Sequence, residues 1–275
     1  MTADTLALNN ALVYDYLQRF VQEELHTNGF TEACVALSGG LDSAVVLKLA
    51  VDALGSDHVH AMFLPYSASS DESRRDARTV FEFCGIPWQE LDISGMADAY
   101  LALQPGMDRL RTGNLLARLR MAVIFDQSKK EDALVVGTSN KSELLVGYST
   151  WYGDMACAIM PLGDLYKTQV RSLAHHVGLP RQVIAKPPSA DLWAGQTDEG
   201  EIGVSYETLD RILYLLVDQR CSSAEVAAEG FELDLVRRVE HKILASQFKR
   251  VSPPVAKLSQ RTVGIDFLYP RDWRK

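Results

Sequence analysis

One short turn constrains this chain more than any other feature. It stands between an apolar run at 33–37 and a helical pattern at 42–54, and it consists of Ser38, Gly39, Gly40, Leu41, Asp42 and Ser43. A strand, a turn and a helix in this order direct backbone N–H groups and the positive end of a helix dipole at one point. The glycines permit close approach of the backbone, and the two serine hydroxyls add donors. We therefore predict a phosphate-binding loop.

Asp42 indicates which kind of phosphate site this is. A carboxylate beside a phosphate would repel it, so Asp42 is best explained by a Mg²⁺ ion lying between the two. The Lys-Ser/Thr pair of a Walker A loop is missing from the turn, which disfavours transfer of the terminal phosphate of ATP. The residues alone leave one alternative, an ordinary tight turn in which Asp42 caps the helix.

Strand-like and helical patterns alternate along the first half of the chain. They lie at 5–25 (helix), 33–37 (strand), 42–54 (helix), 59–64 (strand), 69–84 (helix), 88–93 (strand), 112–129 (helix) and 133–137 (strand). The third helix should begin at a capping box formed by Ser69 and Glu72. Such alternation predicts an α/β fold of the Rossmann-like three-layer type, with helices on both faces of a parallel sheet. The turns at 38–43 and 138–143 then share the carboxyl edge of the sheet, where ligands bind.

The second half of the chain has a different pattern. Helical periodicity recurs at 166–177, 205–217 and 232–247, which predicts a helical C-terminal part. Residues 186–203 lack periodicity and are rich in Pro and Gly, so we predict a long loop suited to act as a lid. No Pro/Gly/Ser-rich linker or block of charge divides the chain, and a single domain spanning 1–275 is expected.

Composition narrows the classes of partner. A net charge of −8 and a pI near 5.3 argue against a surface that binds nucleic acid. The four cysteines lie far apart without CxxC spacing, and the histidines form no ligand-like cluster in the sequence. No apolar run is long enough to cross a bilayer. These features predict a cytoplasmic protein that has neither a membrane nor a nucleic acid as partner.

The turn at 38–43 resembles the signature Ser-Gly-Gly-x-Asp-Ser of the ATP-pyrophosphatase (PP-loop) family. Members of that family cleave ATP between its α and β phosphates and adenylate a carboxyl, ureido or nucleobase oxygen. The resemblance therefore implies an adenine nucleotide alpha hydrolase-like fold with ATP as co-substrate and Mg²⁺ as cofactor. It does not select the group that is adenylated.

Three further segments are similar to ammonia-dependent NAD synthetases. They are 113–121 (GNLLARLRM), 137–143 (GTSNKSE) continuing to 147–154 (GYSTWYGD), and 190–199 (ADLWAGQTDE). This resemblance implies the amidation of nicotinate adenine dinucleotide (deamido-NAD) to NAD with ammonia. An acyl-adenylate would form first, with release of pyrophosphate, and ammonia would then displace AMP.

The resemblance also implies roles for individual residues. Asp42 and Glu143 would hold Mg²⁺, and Asp42, Lys167 and Asp154 would be catalytic. ATP would contact the loop at 38–43 together with Thr138, Lys167 and Ser189, the last at a place where relatives usually carry Thr. The dinucleotide would contact Arg118 and Lys249, and Asp154 would hold ammonium.

These roles are chemically sound, although other readings exist for each residue type. Mg²⁺ prefers oxygen ligands, and a lysine beside the leaving phosphates would neutralise developing charge. Without the resemblance, Glu143 could be a solvated helix residue and Lys167 an exposed helix cation. Arg118 and Arg120 point in different directions around a helix, so one of them at most needs to face the ligand, and both could be surface charges.

The match fails at three places in the implied substrate pocket. Relatives generally carry Lys, Asp and a His-Lys pair where this chain has Trp151, Ala158 and Phe248-Lys249. Either the pocket is rebuilt or the acid substrate differs. The tail at 257–275 offers replacement charge and aromatic surface through Arg261, Tyr269, Arg271 and Trp273, or it is a packed extension.

Three competing functions follow from these observations. The first is an amidating ligase of the same fold that acts on another carboxylate, such as nicotinate mononucleotide. The second is a tRNA-modifying PP-loop enzyme, against which the acidic charge weighs, and the third is a nucleotide-binding module without catalytic activity. The resemblance implies a homodimer with 112–129 at the interface. Because the chain shows no glutaminase-like N-terminal part, free ammonia or a separate glutaminase would supply nitrogen.

Overall fold

The fold is described from a computed structural model that covers residues 3–189, residue 193 and residues 195–267. Its parallel sheet contains β1 (Glu32–Ala36), β2 (Val59–Met62) and β3 (Ala133–Val135) in the order β2-β1-β3. Single parallel bridges, from Phe63 to Glu90 and from Val136 to Ile159, extend the sheet on both sides. The prediction of a parallel sheet is confirmed.

The described helices enclose this sheet and continue beyond it. They are α1 (Asn10–Thr27), α2 (Leu41–Leu54), α3 (Asp71–Cys84), α4 (Ser94–Ala102), α5 (Arg109–Lys130), α6 (Lys141–Val146), α7 (Lys167–His176), α8 (Arg181–Ala185), α9 (Asp198–Ile202), α10 (Tyr206–Leu213), α11 (Ser223–Ala228) and α12 (Leu233–Ala245). None of them is long and apolar enough to cross a membrane.

Side chains of the central strand alternate between two apolar cores. Ala33 and Val35 join a core built with α1, α2, α3 and α7, whereas Cys34 joins one built with α4 and α5. All three residues are fully buried. Because successive strand residues point to opposite faces, this alternation places helices on both sides of the sheet, as the sequence predicts.

The predicted strand at 88–93 is only partly formed. The Phe63 amide donates to Gln89 O, and the Leu91 and Ile93 amides donate to Phe63 O and Pro65 O. Pro65 has no N–H to return a bond, and α4 begins directly after Ile93, so the ladder stops at one bridge. The prediction of a complete third strand was wrong, although the segment lies where it was expected.

The predicted capping box of the third helix was wrong by one residue. Ser70, and not Ser69, caps α3, because its Oγ accepts a 3.1 Å hydrogen bond from the Ser73 amide. The Ser69 hydroxyl instead accepts from the Tyr66 amide at 3.2 Å and closes the preceding turn. A serine whose side chain closes a local turn is no longer available to cap a helix.

The C-terminal part is helical and has its own apolar core. Tyr166, Ile202, Tyr206 and Leu209 belong to this core, which joins α6 to α10, α11 and α12. The helix predicted at 205–217 is α10, followed by a π-helical turn at Tyr214–Asp218. The loop predicted at 186–203 contains the short helix α9, so the prediction of a segment without regular structure was wrong there. Residues 190–192 and 194, and the tail residues Tyr269, Arg271 and Trp273, lie outside the described residues.

Glu32, His58 and His60 form a charged cluster at the amino edge of the sheet. Nδ1 of His58 lies 2.7 Å from Glu32 Oε1, and Nε2 of His60 lies 3.2 Å from Glu32 Oε2. The hydrogen bond that His58 donates to Glu32 raises the pKa of His58. Partial burial opposes the charge of Glu32, but hydrogen bonds from both histidines outweigh it and lower the pKa of this carboxyl.

Replacing Glu32 with glutamine should therefore destabilise the protein by a small, pH-dependent amount, since the cluster is partly exposed. The histidine contribution is complete below the pKa of unfolded histidine, about 6.5, and is lost as pH rises through the raised folded pKa. The glutamate contribution requires a pH above its unfolded pKa of about 4.3. Urea unfolding of both proteins should show the largest difference near pH 6 and a smaller one near pH 8.5. An equal difference at both pH values would contradict this assignment.

Candidate active site

The predicted phosphate loop follows β1 and leads into α2. The hydroxyls of Ser38 and Ser43 lie 3.1 Å apart, and the Gly40 amide donates to Ser38 Oγ at 3.2 Å, so the turn is held by its own side chains. Gly39 has a φ of +80°, and a Cβ there would lie 2.4 Å from Ser73 O of α3. Only glycine fits this position without movement of the backbone.

Asp42, Glu143 and Lys167 meet beside this loop. The Lys167 ammonium donates to Asp42 Oδ2 and, at 3.1 Å, to Glu143 Oε1. Asn140, which caps α6, donates from Nδ2 to Asp42 Oδ1 at 3.0 Å. The first turns of α2, α6 and α7 thus bring together side chains that are far apart in the sequence, as expected where parallel strands end at one edge.

A buried polar network holds the start of α7 in place. Asp210 is fully buried and accepts from Ser142 Oγ at 2.5 Å and from the Thr168 amide at 2.8 Å. The Ser142 hydroxyl in turn accepts from the Lys167 amide at 2.9 Å. The Lys167 ammonium also lies 5.2 Å from the centre of the Tyr206 ring. These contacts fix the backbone from which the Lys167 side chain extends, so Asp210 is a positioning residue.

The charges of this cluster depend on one another. Burial alone would lower the pKa of Lys167, but the charges of Asp42 and Glu143 outweigh it and raise that pKa. Burial raises the pKa of Glu143, although the Lys167 charge opposes the shift. Lys167, whose side chain is 4% exposed, is therefore held as a cation by two carboxylates.

A cavity of about 970 Å³ opens over the loop. Its described lining includes the following residues predicted for the site: Ser38, Gly40, Leu41, Asp42, Ser43, Thr138, Glu143, Asp154, Lys167, Ser189 and Lys249. Gly39 packs against α3 behind this surface. The cavity is large enough for a nucleotide together with part of a second ligand.

Asp154 and Lys249 lie in one wall of the cavity. The Thr150 amide donates to Asp154 Oδ1 at 2.7 Å. Loss of hydration among the surrounding protein atoms raises the pKa of Asp154, whereas hydrogen bonds from Thr150 oppose the shift. Lys249 donates to Ser149 O at 2.7 Å and to Gly147 O at 2.8 Å. Each residue is thus anchored to the segment at 147–154 that carries the resemblance.

Arg118 lies outside this cavity, whereas Arg120 lines it. Arg118 is exposed, and its guanidinium donates to Trp151 O at 3.3 and 3.4 Å. Arg120 donates from Nε to Leu64 O at 2.9 Å, two residues beyond the end of β2. The prediction that the two side chains diverge around α5 is confirmed. Arg118, which matches the family residue, lies outside the cavity of its own chain.

The three departures from the family pattern lie close to Arg118 or to β3. Trp151 stacks on Tyr152 with ring centres 4.5 Å apart and contacts Phe248 edge-on at 5.4 Å. Ala158 is exposed and donates its amide to Val135 O at 2.9 Å. Trp151 and Phe248 therefore form one aromatic cluster.

In the described tail, the Arg261 guanidinium contacts the Phe267 ring, 5.3 Å away.

Several residues of the site had no role predicted from the sequence, although Asn140 and Asp198 stand within segments that carry the resemblance. Asn140, Lys186, Asp198 and Tyr206 all contact the cavity or the acidic cluster. Asp198 is 4% exposed, and its Oδ1 has no hydrogen-bond partner among the described residues, while the Tyr206 hydroxyl lies 3.4 Å from its Oδ2. Burial raises the pKa of this carboxyl. Only the position of Asp198 behind Thr197, a helix cap, could have marked the start of α9.

Mg²⁺ fits the chemistry of this donor set. Asp42 and Glu143 each direct a carboxylate oxygen at one point, where the Lys167 ammonium now lies. Two protein carboxylates suit a nucleotide-bound Mg²⁺, because phosphate oxygens and waters complete its octahedral shell.

A glycine-rich turn between a parallel strand and a helix, with an aspartate in the first helical turn and a lysine opposite it, defines a nucleotide-binding α/β protein of the PP-loop class. The family model described as NAD synthase matches residues 13–253. The chain therefore belongs to the NAD synthase family.

The chain also matches individual proteins over nearly their whole length. The chain is 50% identical over 270 residues to the NH(3)-dependent NAD(+) synthetase of Trichlorobacter lovleyi, covering 98% of this chain and 99% of that one. Its fold is similar to an NMN synthetase from Francisella tularensis, with a TM-score of 0.80, 29% identity and coverage of 92% and 100%. An NH3-dependent NAD synthetase from Campylobacter jejuni gives a TM-score of 0.78, 28% identity and coverage of 91% and 100%.

Proposed function

We propose that this chain is an ATP-dependent ligase that amidates nicotinate adenine dinucleotide with ammonia to give NAD, AMP and pyrophosphate. The observation that carries the proposal is the convergence of Asp42, Glu143 and Lys167 beside the phosphate loop, in a chain similar throughout to NH(3)-dependent NAD(+) synthetases. ATP is the co-substrate, and the reaction joins carbon to nitrogen.

The first half of the reaction is adenylation. The pyridine carboxylate attacks the α phosphorus of ATP, and the bond to the bridging oxygen breaks to release pyrophosphate. The loop amides and the hydroxyls of Ser38 and Ser43 would bind phosphate oxygens, and Thr138 and Ser189 would contact the nucleotide from the cavity wall. Lys167 would exchange a carboxylate contact for a phosphate oxygen and stabilise charge on the leaving group. A bound Mg²⁺, held by Asp42 and Glu143, would neutralise the phosphates.

The second half is attack by ammonia on the acyl carbon, which displaces AMP. Asp154 lies on the cavity surface with one oxygen fixed by the Thr150 amide. A carboxylate here would hold ammonium close to the acyl-adenylate and take up a proton as ammonia forms. Lys249 in the same wall would contact the dinucleotide.

Product analysis tests the whole proposal. Purified protein with ATP, Mg²⁺ and ammonium chloride should convert deamido-NAD to NAD with one AMP and one pyrophosphate for each NAD, measured by mass spectrometry and a pyrophosphate assay. Nicotinate mononucleotide belongs in a parallel reaction, because Trp151 and Phe248 depart from the family pattern and one structural relative is an NMN synthetase. Amide formed from the mononucleotide alone would overturn the choice of substrate.

Replacing Asp154 with asparagine should separate the two half-reactions. Adenylation should persist, because Asp154 is not among the proposed ATP contacts, whereas loss of the negative charge should raise the KM for ammonium by about tenfold or more. The measurements are NAD formation against ammonium concentration and pyrophosphate–ATP exchange with deamido-NAD present. Equal loss of exchange and of amide formation would show that Asp154 does not act on ammonium.

A homodimer would give exposed Arg118 a ligand. Arg118 lies on α5 outside its own cavity, and Leu110 and Phe125 of the same helix are 70% and 39% exposed. If α5 forms the interface, Arg118 could reach the dinucleotide bound by the partner. Sedimentation analysis should give a dimer.

Mixing inactive Arg118→Glu and Asp42→Asn proteins should restore activity, because each hybrid dimer contains one intact site. If activity does not recover after subunit exchange has been confirmed, a site shared between the two subunits is excluded.

The chain would work as one domain in a reducing, cytoplasmic setting. All four cysteines are free, and the helical C-terminal part packs on α6, which itself carries Glu143. Urea unfolding should therefore show a single transition when followed by both tryptophan fluorescence and circular dichroism. Ammonia could come from solution or from a separate glutaminase.

A further inference from the structure

A second, partly buried lysine lies near the phosphate loop, on the side of α3. Lys186 follows α8 and lines the cavity, and its ammonium lies 2.8 Å from Asp76 Oδ2 and 3.1 Å from Ser73 Oγ. The Lys186 side chain is 15% exposed and the Asp76 side chain 8%. The resemblance to ammonia-dependent NAD synthetases implies no role for Lys186 or Asp76.

Ser73 connects this lysine to the loop. Its hydroxyl accepts from Lys186, and its carbonyl oxygen lies so near Gly39 that a Cβ on Gly39 would be 2.4 Å away. Ser73, Ser70 and Gly40 line the same cavity as Lys186. The two lysines therefore flank the loop, with Lys167 on the side of Asp42 and Lys186 on the side of α3.

The contacts of Lys186 leave it able to bind an anion. An ammonium has three N–H donors, and the described contacts with Asp76 and Ser73 account for two of them. Asp76 is further contacted by Gln182 Nε2 at 3.5 Å, so its carboxylate is held in place from a second side. A fixed cation at the cavity wall suits a polyphosphate, whose charge exceeds what one lysine can neutralise.

We propose that Lys186 is a second phosphate-binding lysine, which contacts the pyrophosphate portion of ATP and the released pyrophosphate, and that Asp76 is its positioning residue. The inference rests on the proposed use of ATP. The ligand chemistry is that of a diphosphate with two or more ionised oxygens, which Lys167 and Lys186 would approach from opposite sides. The competing interpretation is that Lys186 only joins the segment after α8 to α3.

The test is direct binding of Mg²⁺-pyrophosphate by isothermal titration calorimetry, with pyrophosphate–ATP exchange as the second readout. Lys186→Met should weaken pyrophosphate binding about 10- to 100-fold, the usual effect of removing a charge-assisted hydrogen bond. Lys186→Arg should recover part of the affinity. Lys48→Met is the matched control, since Lys48 also pairs with an aspartate, Asp52, but lies outside the cavity, and it should bind pyrophosphate like the wild type.

A double variant separates the two interpretations. In Lys186→Met/Asp76→Asn no unpaired carboxylate remains to repel the anion, so the proposal expects affinity to stay at least tenfold below that of the wild type. Wild-type affinity in the double variant, or in Lys186→Met itself, would overturn it. Failure of the wild type to form NAD while it still binds pyrophosphate would count against the proposed function only.

Discussion

Replacing Lys167 with methionine should reduce NAD formation by a factor of at least about 10³, the upper range for loss of one preorganised group that stabilises a transition-state charge. Lys167 is the cation shared by Asp42 and Glu143 at the phosphate loop. Without it, developing charge on pyrophosphate would face two carboxylates. The measurement is kcat for NAD formation with saturating ATP, together with pyrophosphate–ATP exchange, and both rates should fall in parallel.

The same substitution should also cost stability. Two partly buried carboxylates would lose their cation, and breaking such a pair typically costs about 3 kcal/mol or more. Protonation of Glu143 would remove part of this cost, because burial already raises the pKa of this carboxyl. Urea unfolding at neutral pH should therefore show a clear loss, which Mg²⁺ should reduce if the ion binds the same carboxylates, as proposed.

Lys141 provides the matched control. Its ammonium also contacts two carboxylates, Asp218 at 2.9 Å and Asp164 at 3.1 Å, but it lies outside the main cavity. Lys141→Met should lose stability while keeping kcat within about threefold of the wild type, since no charge develops near it. If Lys167→Met keeps more than a tenth of wild-type activity, or if both variants lose activity equally, Lys167 does not act on the phosphates.

The alternation of strands and helices could be predicted because glycines mark its turns. Gly39, Gly55 and Gly85 have φ values of +80°, +90° and +68°, and each follows an apolar or amphipathic run that ends there. A glycine with positive φ ends the strand or helix before it, so the local sequence determines these boundaries. No such glycine marks the end of the segment at 88–93. Its pairing stops because Pro65, which is distant in the sequence, has no N–H to donate.

Local patterns predicted the candidate site only where its residues lie beside a recognisable turn, whereas Lys167, Asp154 and Lys249 were implied by the family resemblance. Asp42 and Glu143 sit in the first turns of α2 and α6, directly after predicted strand ends. Asn140 contacts Asp42 across 98 positions, and Lys186 contacts Asp76 across 110. Pairings at such separations arise from packing of α6 and α8 against the core, and no local pattern encodes them. The role of Arg118 stays a prediction, because one chain alone places it outside the cavity.

Replacing Gly39 with alanine should disable the loop through a backbone clash. The new Cβ would lie 2.4 Å from Ser73 O and 3.2 Å from Ala77 N, and both atoms belong to the backbone of α3. Neither can move as a flexible side chain would, so the turn between β1 and α2 must shift. Because that turn aligns the amides that would bind phosphate, we expect ATP affinity to fall by more than about tenfold, or roughly 1.4 kcal/mol.

Gly29→Ala separates the clash from the cost of backbone conformation. Gly29 has a φ of +81°, nearly that of Gly39, but a Cβ there meets no atom within 4 Å in the part of the chain that the structure describes. The left-handed conformation should cost both variants about 1 kcal/mol of unfolding free energy, whereas the clash should add to the loss only in Gly39→Ala. Calorimetric binding of ATP should be unchanged in Gly29→Ala. If the two variants lose the same stability and both bind ATP normally, α3 yields at Ser73, and the close contact between α3 and the loop does not hold the phosphate site in its shape.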